Sequence, residues 1–504
     1  MKILLTALNA KYIHSSLALR LLYASASDSR KLLTVKEFSV NNQDDYIFAE
    51  LLAEEYDAIC FSCYVWNIER IVNLAENVKK ARPDVLIVFG GPETGFETVQ
   101  FIKEHKYIDF IIAGEGEYAF SRLCRAIANR DEKYEKIKGL VYRKDGKIFV
   151  NPPAEPLNLE LIPFPYDFLP CEADKILYYE SARGCPFHCG FCLSSLDKET
   201  RTLSLSRVFR DVNFFFANGV KQVKFVDRTF NGDRARCEAI LKYIMDREPG
   251  TTNFHFEIRG DLIDDEFLNL IRAARPGLFQ FEVGVQSSNK RTLLAVNRSG
   301  QIETLLLGAG KLASLGNVKT RVDLIAGLPY ESYHTFQRSF NDAYNLGADA
   351  LQLGFLKLLK GTEIRAKAEA HQYEYRKNAP YEVIANRFIS ANDIVRLKRI
   401  EELLELYYNR GGFEKTLAAV IKGLVKTPFA FYEEFSFFYE LKGFQHRSHK
   451  KEDLYRILYE YVSWKCKKTG AARGDFAQTL KEDLEKAFNP EVVDKIERKG
   501  WKIR

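Results

Sequence analysis

Two blocks of the chain alternate short apolar runs with helical segments, and few folds accept that pattern. In the first block the apolar runs fall at 2–7, 58–63, 85–89 and 110–113. Each ends in small or polar residues and leads into a helical periodicity. Strands that are apolar throughout are covered on both faces. Residues 1–135 are therefore predicted to form a doubly wound parallel sheet. In the second block six runs, at 176–182, 222–227, 253–259, 279–285, 320–327 and 350–356, are separated by helices of ordinary length. They predict an α/β half of another kind: a six-strand partial (β/α) barrel over 171–365, with its active face at the carboxyl ends of the strands.

The intervening residues 136–170 read as a connector. A hairpin over 139–150 turns at Asp145-Gly146, and a proline-rich stretch follows. Residues 366–504 show no clear strand. Helical patterns at 387–408, 428–441, 451–467 and 475–488, rich in Tyr and Phe, predict a helical C-terminal domain. A length of 504 residues is too great for a single core, in keeping with three parts.

The first strand of the second block runs into Gly184-Cys185-Pro-Phe-His-Cys189-Gly-Phe-Cys192. Three thiolates in one tight loop suit three irons of a cubane cluster, leaving the fourth iron open to a small chelating molecule. A structural zinc site is the bland alternative. Zinc takes four ligands, usually as separated pairs, and the only candidate fourth ligand, His188, is adjacent to Cys189 and diverges from it. The nine cysteines are odd in number, no apolar run of about 18 residues is present, and the start is too short and too soon polar for a signal peptide. These features predict a cytoplasmic protein with no membrane span and no disulfide framework. A net charge of +6 does not call for nucleic acid.

Cys-x-x-x-Cys-x-aromatic-Cys after the first strand of a six-strand barrel resembles the radical SAM superfamily. The resemblance implies a [4Fe-4S] cluster on Cys185, Cys189 and Cys192 that binds S-adenosylmethionine and cleaves it to methionine and a 5′-deoxyadenosyl radical. Later segments extend the likeness. Phe225-Val-Asp227-Arg228-Thr229 holds the place of the family's contact to the methionine amino group, and Phe191 sits within the cysteine motif. Glu257-Ile-Arg259 offers a carboxylate for ribose and a cation for a carboxylate. Gln286-Ser287 lies at the family's ribose edge, and Gly327 in the pattern near adenine, with Asp323 where a glycine is common. Lys360-Gly361-Thr362 is another recurrent family feature.

The first block resembles the cobalamin-binding domain that precedes some radical SAM barrels. Its strand-end segments, with Asn9, Ser15 and Ser62, and the turns Gly90-Gly91-Pro92-Glu93 and Gly114-Glu115-Gly116, are expected to contact cobalamin. The family's Asp-x-His-x-x-Gly motif is missing. His14 lies in the corresponding loop but out of register, and reads as a surface or capping residue. Transfer-RNA methylthiotransferases also place an α/β domain ahead of such a barrel, with a second cluster on three cysteines. Here Cys60 and Cys63 point to opposite faces of one strand and Cys124 lies in a helix, so these are expected to be packing residues.

The implied activity is methyl transfer to an unactivated carbon, with radical oxidation, cyclisation or rearrangement as the alternative, and a cobalamin or cluster sensor as the non-enzymatic one. The implied partners are a small-molecule, RNA or peptide substrate and a low-potential donor such as flavodoxin or ferredoxin.

Overall fold

The computed structural model describes residues 1–498 except 132, 299 and 473. The first sheet contains β1 (Ile3–Asn9), β2 (Leu33–Ser39), β3 (Ala58–Ser62), β4 (Leu86–Gly90) and β5 (Phe110–Ile112), parallel in the order β2-β1-β3-β4-β5. The strand β2 escapes the apolar-run criterion. It is an edge strand, only partly covered, and its centre carries Lys36 and Glu37. The predicted hairpin forms as β6 (Leu140–Lys144) and β7 (Lys147–Val150). It is not a free connector: β6 pairs antiparallel with β5 and extends the first sheet to seven strands.

The second sheet begins at β8 (Ile176–Tyr179). A small ribbon follows, β9 (Ala182–Arg183) with β10 (Arg201–Thr202). Then come β11 (Gln222–Phe225), β12 (Asn253–Ile258), β13 (Phe279–Gln286), β14 (Lys319–Ala326) and β15 (Ala350–Phe355). The six main strands are parallel in the order β15-β14-β13-β12-β11-β8, so the barrel is open between β8 and β15. Their residues alternate. Phe254, Phe256, Phe279, Phe281, Val283, Leu324 and Leu351 are buried in the main core. The opposite face carries His255, Glu257, Glu282 and Asp323, as a concave polar interior requires.

The first domain bridges the opening. On one side Ile176 N donates to Ile13 O at 2.8 Å and Ser15 Oγ to Ile176 O at 2.9 Å. On the other, beyond β15, Lys360 Nζ donates to Glu93 O at 3.2 Å and Tyr381 Oη to Glu93 Oε2 at 2.7 Å. Gly361 is at φ +81°, and a Cβ there would lie 2.5 Å from the Phe96 ring.

The last region is helical as expected, apart from a short ribbon of β16 (Glu374–Tyr375) and β17 (Val383–Ala385) that sequence reading missed. Asn409 closes the β15 edge: its Oδ1 accepts from Leu351 N at 2.9 Å and its Nδ2 donates to Leu351 O at 3.1 Å, as a neighbouring strand would. The aromatic helices share one core with the barrel, through pairs such as Phe340–Phe429 and Tyr344–Tyr408. Among the described residues no helix is long and apolar enough to cross a membrane.

Candidate active site

The cysteine loop leaves the carboxyl end of β8 through the β9–β10 ribbon. Gly184, at φ +92°, is required there, since a Cβ would stand 2.2 Å from Glu199 O. The loop closes through Cys185 N to Asp197 O (3.1 Å) and Cys192 N to Cys189 O (3.0 Å). Its tip is held from two sides, by Gly190 N to Val296 O (2.8 Å) and Ile364 N to Gly190 O (2.9 Å). Cys185 and Cys189 are buried and Cys192 is half-buried. Cys185 Sγ lies 3.5 Å from Thr229 Oγ1, and Cys189 Sγ accepts from Arg298 Nη1 at 3.6 Å. Among the described residues no three His, Cys, Asp or Glu side chains are drawn together as a preformed ligand set, the three loop cysteines included.

Several expected cofactor contacts have other work. Asp227 is buried. Its Oδ1 accepts from Ser181 N (2.8 Å) and Ala182 N (3.0 Å), and its Oδ2 from Ser181 Oγ (2.5 Å). Burial pushes this carboxyl up to about 6. It holds the turn that launches the cysteine loop. Ser287 Oγ donates to buried Glu331 Oε1 at 2.6 Å, so it supports the β13 end from behind. The Gly327 carbonyl accepts from Tyr373 Oη (2.8 Å) and Asn386 Nδ2 (2.9 Å), and a Cβ there would lie 2.7 Å from Val383. These three positions carry scaffold bonds at the strand ends where cofactor contact is expected.

The others remain at the edge of the loop. Phe191 is half-buried against the core. Glu257 Oε2 faces Arg228 Nη1 at 3.8 Å. Arg259 forks onto Asp261 (2.9 and 2.6 Å) and stacks 3.8 Å above Phe187 of the cysteine loop. Gln286 stands at φ +71°, folded back over Gly284, with its Oε1 buried and unpartnered. A buried orphan acceptor at a strand end, over the same Gly284 that Arg298 crosses on its way to Cys189, fits a small polar ligand bound against a cluster on the cysteine loop.

Glu331, which closes the sequence pattern near adenine that contains Gly327, is fully buried, and burial pushes its carboxyl up to about 7 from an ordinary 4.5. Its raised folded-state value means that the folded chain binds the proton more tightly than the unfolded one. The associated stability is full below about pH 4.5 and declines as pH rises to about 7. A shift of that size corresponds to about 3 kcal/mol. Glu331→Gln is expected to flatten this decline, and urea unfolding at pH 5 and pH 8 measures it.

In the first domain the strand-end segments mostly bind one another or the barrel. Asn9 Nδ2 donates to His14 O (3.1 Å) and Glu37 Oε2 (2.7 Å), and Ser15 is buried on Ile176. His14 Nδ1 lies 2.5 Å from Tyr178 Oη, so its imidazole is committed to the barrel edge. Gly91, at φ +105°, packs where a Cβ would meet Cys63 O at 2.5 Å. Pro92 opens the short helix Pro92–Gly95 behind Gly90. Glu93 is buried with Tyr381 and Lys360. Glu115 is held by Arg201 (3.0 and 2.5 Å) and Leu157 N (2.7 Å). Against the cost of burial, these bonds keep its carboxyl below the ordinary range. Asn9, Ser15, Glu93 and Glu115 thus carry structural and interdomain bonds at the crest.

The crest of the sheet still offers open backbone. A Cβ on Gly114 would meet nothing within 4 Å, while one on Gly116 would meet Leu22 at 3.2 Å. Ser62 is buried at the end of β3 and its carbonyl accepts from Asn67 Nδ2. Just beyond it Tyr64 and Trp66 stack at 4.4 Å and 7°, with Trp66 half exposed and donating to Leu8 O. The segment 62–66 is expected at the sheet's ligand edge from the sequence; the stacking of its two aromatic rings over β1 and β3 is what the structure adds. Cys60, Cys63 and Cys124 are buried, Cys63 in one face's core and Cys60 and Cys124 in the other's, as expected of packing residues.

Comparison with known proteins agrees with this architecture. Residues 3–124 match the B12 binding domain family, 179–343 the radical SAM superfamily, and 369–499 a family described as a protein of unknown function, DUF4080. The chain is 26% identical over 356 residues to the cobalamin-dependent radical SAM methyltransferase TokK of Streptomyces tokunonensis, covering 64% of this chain and 50% of that protein. It is 27% identical over 312 residues to the anaerobic magnesium-protoporphyrin IX monomethyl ester cyclase of Rubrivivax gelatinosus, covering 56% and 53%. The chain thus spans about half the length of these curated relatives. Its fold is similar to that of the cobalamin-dependent S-adenosylmethionine radical enzyme OxsB, solved with aqua-cobalamin and S-adenosylmethionine bound. The TM-score is 0.63 at 15% identity, over 96% of this chain and 83% of that one.

Proposed function

We propose, for a chain that joins a B12 binding domain to a radical SAM domain, that it is an enzyme transferring a methyl group from S-adenosylmethionine to an unactivated carbon. The observation that carries this reading is the joining of the two ligand edges. Arg183, two residues before Cys185, bonds Glu117 of the first sheet's crest at 2.7 Å and pairs with Glu115 at 3.3 Å. The two carboxyl-end faces are thereby held towards a common space.

When bound, the three groups supply a low-potential electron, a radical initiator and a methyl carrier. Cys185, Cys189 and Cys192 would hold the [4Fe-4S] cluster. Gln286, Glu257, Arg259, Thr229 and Phe191 line the edge where S-adenosylmethionine would lie. Tyr64, Trp66 and the Gly90-Gly91 and Gly114–Gly116 turns offer flat and open surface for cobalamin. His14 is held at Nδ1 by Tyr178, and the family's Asp-x-His-x-x-Gly motif is absent from its loop. The reductant is a one-electron donor of the flavodoxin or ferredoxin kind, and the setting is a reducing cytoplasm. No substrate is named by the pocket, and a small molecule is favoured over nucleic acid by the near balance of charge.

The 27% identity to a cyclase supports a second reading, radical ring closure without methyl transfer. Anaerobic purification, cofactor extraction and product analysis separate the possibilities. Methyl transfer predicts cobalamin, iron and sulfide, with both 5′-deoxyadenosine and S-adenosylhomocysteine released. Cyclisation predicts 5′-deoxyadenosine alone. Full cofactor loading with neither product over prolonged reduction would sink both and leave a sensor.

A further inference from the structure

We propose that Arg298 sets the reduction potential of the iron–sulfur cluster by placing an unneutralised positive charge and a hydrogen bond on Cys189. The inference rests on the cluster reading above.

Arg298 follows the helix Lys290–Ala295 in a turn that grips the tip of the cysteine loop. Leu293 O accepts from Arg298 N at 2.9 Å, and Val296 O accepts from Gly190 N at 2.8 Å. From this fixed base the guanidinium crosses Gly284. Its Nη2 donates to the Gly284 carbonyl, and its Nη1 reaches Cys189 Sγ at 3.6 Å. Glycine leaves room at the crossing: a Cβ there would stand 3.4 Å from Arg298 Nη2 and 2.4 Å from Gln286 Nε2, and the Gln286 side chain would have to shift.

The charge stands without an acid. Among the described residues no carboxylate pairs with Arg298, and its Nε is buried without a partner. Arg259, the other guanidinium packed on the cysteine loop, is forked onto Asp261. Arg143 also spans only a backbone carbonyl with a buried, unpartnered Nε, but it lies in the first domain, whereas Arg298 meets a cysteine of the cluster loop. Here the cation faces a buried thiol and backbone carbonyl only.

Reduction adds one electron from the low-potential donor, and the cluster becomes more negative by one charge while no protein bond is made or broken. A nearby cation stabilises the more negative form, and a hydrogen bond to sulfur acts in the same direction. Arg298 therefore raises the potential and eases reduction.

The test is an EPR-monitored redox titration of the full chain with its cluster reconstituted. Arg298→Met is expected to keep wild-type iron and sulfide while its midpoint moves to lower potential, so that the reduced fraction at a fixed potential falls several-fold. Arg298→Lys, which keeps the charge, is expected to recover part of the shift. A fully loaded Arg298→Met with the wild-type midpoint overturns the proposal. Should that variant not hold iron, Arg298→Gln, which keeps a donor without charge, takes its place under the same criterion. Loss of iron in all three variants would also overturn it, by making Arg298 an assembly requirement. A wild-type chain that takes up no cluster removes the cluster reading itself, and the proposal with it.

Discussion

Cys185→Ala, purified anaerobically and reconstituted with iron and sulfide, is expected to release no 5′-deoxyadenosine above background, with at least a 1,000-fold loss (~4 kcal/mol in barrier terms) relative to wild type. The size of the effect follows from position. Cys185 is the first thiol of the loop, is buried, and is fixed by its backbone bond to Asp197 and by Gly184 beneath Glu199. A cluster with one protein corner missing has no second thiol to recruit: Cys60, Cys63 and Cys124 are buried in the first domain's cores, where burial pushes each thiol up. Thr229, 3.5 Å from Cys185 Sγ, offers only a neutral hydroxyl. Iron content and 5′-deoxyadenosine yield are measured together. A variant that cleaves S-adenosylmethionine at the wild-type rate would remove the cluster from the mechanism.

That residue was legible because its chemistry is local. Three cysteines in eight positions behind a strand carry their own geometry, and strands apolar or alternating over five to eight residues announce their faces. The cofactor contacts were less legible because a polar residue at a strand end has two possible partners. Asp227 and Ser287 occupy family positions, yet Ser181 and Glu331 claim them, and no spacing rule reveals a partner 46 or 44 residues away. Glu93 and Glu115 likewise look like crest residues until the barrel supplies Tyr381 and Arg201, from 288 and 86 positions further along. Edge strand β2 was hidden by the reverse effect. Its exposed middle let Lys36 and Glu37 break the apolar run that reveals a buried strand.

The same logic makes Arg183 the most consequential residue outside the cluster loop. Its guanidinium serves Glu117 (2.7 Å), Glu180 (3.0 and 2.7 Å) and Glu115 (3.3 Å), with side-chain exposures of 6%, 18% and 20% against its own 17%. Glu115 keeps Arg201 if Arg183 is lost, but Glu117 and Glu180 would be left partly desolvated with no other ion pair among the described residues. Breaking a buried pair from one side costs about 3–5 kcal/mol, whereas a surface pair is worth about 0–1 kcal/mol. Arg183→Met is therefore expected to lower the urea midpoint markedly. Arg125→Met, which loses only the exposed contact to Asp28, should leave it almost unchanged. Arg183→Lys should recover little, because an ammonium cannot fork to three carboxylates as a guanidinium does. Since Arg183 joins the crest of the first sheet to the root of the cysteine loop, its loss should also uncouple the two ligand edges. The Arg183→Met chain should then keep iron and still bind cobalamin, yet lose S-adenosylhomocysteine formation more than 5′-deoxyadenosine release. Equal loss of both products would mean that Arg183 supports the loop alone and not the meeting of the two domains.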